Sequence, residues 1–178
     1  MRAGGGKNKG SEFEREICRK LTKWLFGYEK PEKFWRTSAS GAKATMAMRR
    51  GQATKMHGDI MSIDREAEFF TNHFYLECRF YQDVDILDML SAQGLVYKWW
   101  FDDCVEKARA CNKVPMLIFK KNRSKVYVML MLSTNKWLED IFKPYPLNYL
   151  KFTRHCKVYE FEDLFRWMDG KLLRTLLG

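Results

Sequence analysis

Phe69-Phe70-Thr71-Asn72-His73-Phe74-Tyr75-Leu76-Glu77-Cys78-Arg79-Phe80-Tyr81 is the stretch whose reading decides the fold. Successive side chains of a strand point to opposite faces, so a period of two separates one face from the other. From Phe74 on, Phe74, Leu76, Cys78 and Phe80 fall on one side, and Tyr75, Glu77, Arg79 and Tyr81 on the other. The pattern predicts a strand over 69–81 with Glu77 and Arg79 on a shared face. Upstream, Gly58-Asp59-Ile60 opens a second predicted strand, 59–63, joined to the first through the turn Asp64-Arg65-Glu66-Ala67-Glu68. Asp59 and Glu77 on adjacent strands then present two carboxylates that can hold a divalent cation against a phosphate.

Outward from this pair, Ser11-Glu12-Phe13-Glu14 fits a capping box, and Phe13, Ile17, Leu21 and Leu25 follow at helical spacing. A helix is expected from Ser11 to about Gly27, behind a flexible Gly/Lys-rich arm over 1–10. Phe34-Trp35-Arg36-Thr37 reads as a short strand, followed by a basic loop over 38–57 with Lys43, Arg49, Arg50 and Lys55. A helix over 91–112 carries the stripe Tyr97, Trp100/Phe101, Cys104, Ala108 and Cys111. Two nearly continuous apolar runs, 115–119 and 126–132, read as strands covered on both faces, separated by the turn 121–124. The tail reads as a short helix over 137–142, a Pro144/Pro146 loop, a strand over 157–161 and an amphipathic helix to Leu177. This order predicts an α/β layered domain with a central mixed sheet.

With 178 residues, 46% apolar and 15% aromatic, the chain has material for one domain with a packed core. Five scattered cysteines without a CxxC pair, and three histidines without zinc spacing, point to buried reduced thiols and away from a structural zinc. No apolar run has the length of a membrane span, and the N-terminus has no signal-peptide core, so a soluble intracellular protein is expected. The net charge of +10 is uneven: residues 1–58 carry 14 Lys/Arg against 5 Asp/Glu, and the rest 18 against 17. Such asymmetry points to a polyanion, with nucleic acid favoured over membrane because no basic anchor helix is visible.

Glu14 on a helix, then Gly58-Asp59, then Glu77-x-Arg79, in the order αβββαβ, resembles the PD-(D/E)xK nuclease superfamily. The likeness is greatest to archaeal-type and phage Holliday-junction resolvases. Their Gly…Glu-Arg-Glu-Leu/Ile helix start is similar to Gly10-Ser11-Glu12-Phe13-Glu14-Arg15-Glu16-Ile17, and their Ser/Gly stretch after the first strand to Thr37-Ser38-Ala39-Ser40-Gly41. The resemblance covers roughly residues 7 to 132. It implies a restriction-endonuclease-like core over 11–132, with 133–178 as a C-terminal extension packed on it. It also implies a crossover-junction endodeoxyribonuclease that makes paired nicks as a homodimer, in the cytoplasm of a prokaryote or a phage-infected host.

Phosphodiester hydrolysis needs a positioned water and a cation to neutralise developing charge. Hard oxygen ligands select Mg²⁺ or Mn²⁺, with Asp59, Glu77 and the carbonyl of Cys78 as the expected set. Read blandly, Asp59 is a turn residue and Glu77 a solvent-facing strand carboxylate. Glu14 fits either a capping role beside Ser11 or, as the resemblance implies, a third catalytic carboxylate. Arg79 departs from the family, which places lysine there; a guanidinium stays protonated and cannot act as a base, but it can hold a phosphate. Lys7, Lys9, Arg36, Ser38, Ser40, Lys43, Arg49, Arg50 and Lys55 are the expected DNA contacts.

The expected partner is therefore DNA, branched in the leading reading. Two rivals stay open: a restriction- or repair-type nickase on the same fold, and a DNA-binding subunit whose chemistry Arg79 has blunted. An RNA-binding module is disfavoured because no aromatic-basic sheet motif is present.

Overall fold

The computed structural model describes residues 5–37, 58–81, 94–143, 150–153 and 155–178. Its centre is a five-stranded mixed sheet in the order β3-β4-β5-β7-β6. The strands are β3 (Phe74–Tyr81), β4 (Val114–Lys121), β5 (Val126–Met131), β6 (Leu150–Thr153) and β7 (Cys156–Glu160). The β3/β4 pair is parallel and the other three pairs are antiparallel. A two-stranded antiparallel ribbon, β1 (Phe34–Arg36) with β2 (Ile60–Ser62), leans on β3. The expected α/β class, mixed sheet and αβββαβ order are all present.

Period-two alternation divides the core between two faces. Phe74, Leu76 and Cys78 of β3, with Met116 and Ile118 of β4, join one large apolar cluster beneath α1 (Gly5–Phe26). Tyr75, Leu117, Phe119 and Met129 join a second cluster beneath α3, which runs through Leu95–Lys98, Trp99–Val105 and Glu106–Ala110. On its own face α1 buries Phe13, Ile17, Leu21 and Leu25, each worth roughly 1.5–3 kcal/mol of transfer free energy. Both central strands are covered twice, which is why they read as unbroken apolar runs.

Three expectations about the elements change. First, α1 is already helical at Gly5, the first described residue, so Ser11 lies inside the helix and Glu14 has no capping box to close. The arm expected over 1–10 is helical from residue 5. A helix once nucleated by its packed portion extends at small cost, even through glycine. Second, Phe69–His73 is helical. Asp64 caps a 3₁₀ turn over Arg65–Ala67, and α2 (Glu68–His73) follows directly. Adjacent Phe69 and Phe70 are both buried there, and the two buried rings in succession gave the appearance of a strand. Third, the helix over 95–110 is wound as a π-helix between Trp99 and Val105, with the Glu106 N–H bonding back to the Phe101 carbonyl. Trp99/Trp100 and Cys104/Val105 are two buried pairs five residues apart, and the wider winding turns both onto the sheet.

Residues 133–178, the expected extension, add β6 and β7 to the sheet by backbone hydrogen bonds. They also complete α4 (Leu132–Phe142) and supply α5 (Phe161–Trp167) and α6 (Gly170–Leu177), whose Leu138, Phe165 and Leu173 join the cluster under α1. No disulfide links the five cysteines, and all but Cys111 are buried. No helix among the described residues is long and apolar enough to cross a membrane.

Candidate active site

Gly58 sets the geometry of the site. It sits at φ +28°, and a Cβ there would lie 2.2 Å from the Leu76 carbonyl oxygen. Only glycine lets the chain pass that close to β3. The passage is then fastened on both sides: Asp59 N–H donates to Leu76 O at 2.7 Å, and Thr37 N–H donates to Asp59 O at 2.9 Å. The Asp59 side chain turns along β3, where its Oδ2 accepts the Cys78 N–H at 2.8 Å. Asp59 is thus set beside the exact stretch of strand that carries Glu77.

Three oxygens converge on one cation. The Arg79 guanidinium lies 2.5 Å from Glu77 Oε1 and 3.7 Å from Asp59 Oδ2, and its Nη1 donates to the Cys78 carbonyl at 3.4 Å. These are the oxygens of the ligand set expected from the sequence. The guanidinium sets a positive charge among them, with Nη2 against Glu77 and Nη1 against Asp59 and the Cys78 carbonyl. All three are hard donors suited to Mg²⁺ or Mn²⁺, and the donor set fits such an ion. Among the described residues no group of three or more His, Cys, Asp or Glu side chains forms a metal cage, so the third ligand would be the backbone carbonyl.

The electrostatics follow from burial. Glu77 is 3% exposed; desolvation first, then the neighbouring Asp59 charge, pushes its carboxyl up to about 7 against the pull of Arg79. Desolvation likewise raises Asp59, offset in part by the Cys78 N–H and by Arg79. Burial alone would lower the guanidinium, but the hydrogen bond to Asp103 and the charges of Glu77 and Asp59 outweigh it, and Arg79 stays protonated.

Asp103 and Lys107, both on α3, are the members of the site that sequence reasoning missed. Asp103 Oδ2 lies 2.9 Å from Arg79 Nη2, and its Oδ1 lies 3.2 Å from Lys107 Nζ. Desolvation opposes ionisation of Asp103, yet hydrogen bonds and charge from Arg79 and Lys107 hold its carboxyl below the ordinary value. The one available signal was the five-residue recurrence of buried pairs, which marks the π winding that carries Asp103.

The other expected residues are placed differently. Glu14 Oε2 accepts from Arg36 Nε at 2.7 Å, so these two pair with each other; the Glu14 charge still acts on Asp59. Lys9 is exposed and lines a cleft with Arg15, Arg19 and the carboxylates Glu12 and Glu16. Lys7 lies in the first turns of α1. Ser38, Ser40, Lys43, Arg49, Arg50 and Lys55 fall outside the described residues. Tyr97, from the expected helix stripe, packs on Phe101 with ring centroids 4.4 Å apart.

The family model described as "Phage putative PDDEXK endonuclease" matches residues 5–175. A solved structure of Hjc, a Holliday junction resolvase from the archaeal hyperthermophile Archaeoglobus fulgidus, is 12% identical. The similarity covers 87% of this chain and 86% of that one, with a TM-score of 0.35. Among curated proteins no significant match is found. Since the family model spans nearly the whole chain, β6 and β7 included, the chain belongs to the phage PDDEXK endonucleases, a family of nucleases.

Proposed function

We propose that this protein is a divalent-metal-dependent DNA endonuclease that resolves four-way junctions by paired nicks. The observation that carries the reading is the convergence of Asp59 Oδ2, Glu77 Oε1 and the Cys78 carbonyl on a single cationic group. Mg²⁺ or Mn²⁺ held by these oxygens would neutralise a phosphate and supply an activated water. The chain's own residues do the rest. The Cys78 N–H orients Asp59, burial keeps Glu77 aimed inward, and Arg79 brings a permanent positive charge to the scissile phosphate. Glu14 is held by Arg36 at the flank and acts on Asp59 through its charge alone.

DNA is the substrate class that fits the concentration of Lys/Arg over 1–58. Lys7, Lys9, Arg36, Ser38, Ser40, Lys43, Arg49, Arg50 and Lys55 are its proposed contacts, with the cleft of Lys9, Arg15 and Arg19 a backbone-binding surface. Junction selectivity rests on the likeness of Gly10–Ile17 and Thr37–Gly41 to resolvase motifs. Two symmetric nicks call for a C2 homodimer with two sites, acting in the cytoplasm of the host cell.

The deciding experiment is cleavage of a labelled four-way junction beside a matched linear duplex, in Mg²⁺, Mn²⁺ or EDTA. Paired, metal-dependent nicks confined to the junction are expected. Equal cutting of both substrates leaves a nickase. Tight binding without cutting in either metal leaves a DNA-binding subunit and ends the enzymatic reading.

A further inference from the structure

The Arg79 guanidinium lies among the oxygens that the proposed function assigns to a metal, so one of the two cations must give way. Asp103 supplies the place to go. Its Oδ2 already holds Arg79 Nη2 at 2.9 Å, while the same Nη2 lies 2.5 Å from Glu77 Oε1. The guanidinium is therefore shared between a carboxylate inside the ligand set and one outside it. Lys107 Nζ holds the other Asp103 oxygen at 3.2 Å, which fixes the carboxylate's orientation and leaves Oδ2 facing Arg79. Asp103 arrives from the π-wound part of α3, whereas Glu77 and Arg79 belong to β3. The alternate seat is thus built on a different element from the ligand set.

We infer that Asp103 is a positioning residue that receives the Arg79 guanidinium when a divalent cation takes the oxygens of Asp59, Glu77 and Cys78. Without the cation, Arg79 serves as the resident positive charge and keeps the buried Glu77 and half-buried Asp59 carboxylates from facing each other uncompensated. With it, Arg79 rests on Asp103 beside the metal, where its remaining N–H groups can meet a phosphate. This inference rests on the metal reading of the site. It adds that the arginine at position 79 competes with the metal, and that Asp103 relieves the competition.

The test is Mn²⁺ affinity by calorimetry, without DNA, for the wild type, R79M, D103N and the double variant, each checked for native far-UV CD and a cooperative melt. R79M removes the competitor and should tighten Mn²⁺ binding about tenfold; D103N strands the guanidinium on Glu77 and should weaken it about tenfold. In the R79M background, D103N should change affinity by no more than about twofold, because only its distant field remains. D103E, which keeps the seat, should restore near wild-type affinity. Equal effects of D103N in both backgrounds, or no tightening in R79M, would overturn the inference and leave the metal site standing. Absence of Mn²⁺ binding in both wild type and R79M would overturn the metal site itself, and the inference with it.

Discussion

The two faces of β3 are built from alternate residues of one strand and serve opposite ends. Phe74, Leu76 and Cys78 enter the apolar cluster under α1, a regular helix of 22 residues. Tyr75, Glu77 and Arg79 face α3, which abandons regular winding between Trp99 and Val105. The first face lowers the free energy of the fold. The second accepts a cost, in the raised pKa values of buried Glu77 and half-buried Asp59, to hold the carboxylates of the proposed metal site. Sites of function are where local rules are expected to be broken and offset elsewhere.

Crossing the two faces gives the largest predicted effects. Asp59→Asn should lower junction cleavage about a thousandfold, as expected for loss of a metal ligand, with DNA binding and melting temperature held or improved. Leu76→Ala, one residue from Glu77 but on the other face, should cost about 3 kcal/mol of stability through transfer loss and a cavity. Its cleavage rate per folded molecule should stay within severalfold. Urea melts paired with single-turnover cleavage would measure both. An Asp59→Asn protein that cuts normally, or a Leu76→Ala protein that is stable and inactive, would dissolve the division between the faces.

A pH series sharpens the same division. The folded-state value for Glu77, about 7, lies above the ordinary carboxylate range. Between the two values the folded protein binds more protons than the unfolded chain. Stability of the metal-free protein therefore falls as pH rises through this window. Glu77→Gln should remove much of that slope. Its stability relative to wild type, measured by urea melts in EDTA, should rise on the order of 2 kcal/mol between pH 5 and pH 8. Metal affinity should climb over the same range in the wild type, because protons and metal compete for Glu77. Parallel pH profiles for the two proteins would mean that Glu77 is solvated in solution and that the functional face carries no cost.

How much of this was legible in the sequence depends on whether a local pattern had one reading. The alternation from Phe74 to Tyr81 did, and so did the unbroken apolar runs of β4 and β5, because burial on both faces leaves no room for polar residues. Phe69-Phe70 did not: two adjacent buried rings suit a strand between two layers or a helix wedged beneath one, and the Asp64 cap decides it. Gly58-Asp59 was readable as chemistry, although the reason for glycine, a backbone contact with Leu76, is tertiary. The contact of Asp103 with Arg79 is likewise tertiary. In sequence Asp103 is one half of an acidic pair on a helix, and only the π turn brings it to Arg79.

The smallest predicted effect addresses the structural face. Ser11 reads in sequence as a helix N-cap with Glu14 as its reciprocal partner, and a genuine cap of that kind costs about 1 kcal/mol to remove. In the structure α1 is already helical at Gly5, which places Ser11 within the helix and gives Glu14 to Arg36. Alanine is the better residue inside a helix, by a few tenths of a kcal/mol over serine. Ser11→Ala should therefore leave stability unchanged or raise it by up to about 0.5 kcal/mol, as read from the urea midpoint at constant slope. A loss near 1 kcal/mol would mean that α1 begins at Ser11 in solution. Lys7 and Lys9 would then belong to an arm ahead of the helix, and the cleft that Lys9 lines with Arg15 and Arg19 would form only when that arm is pinned by DNA.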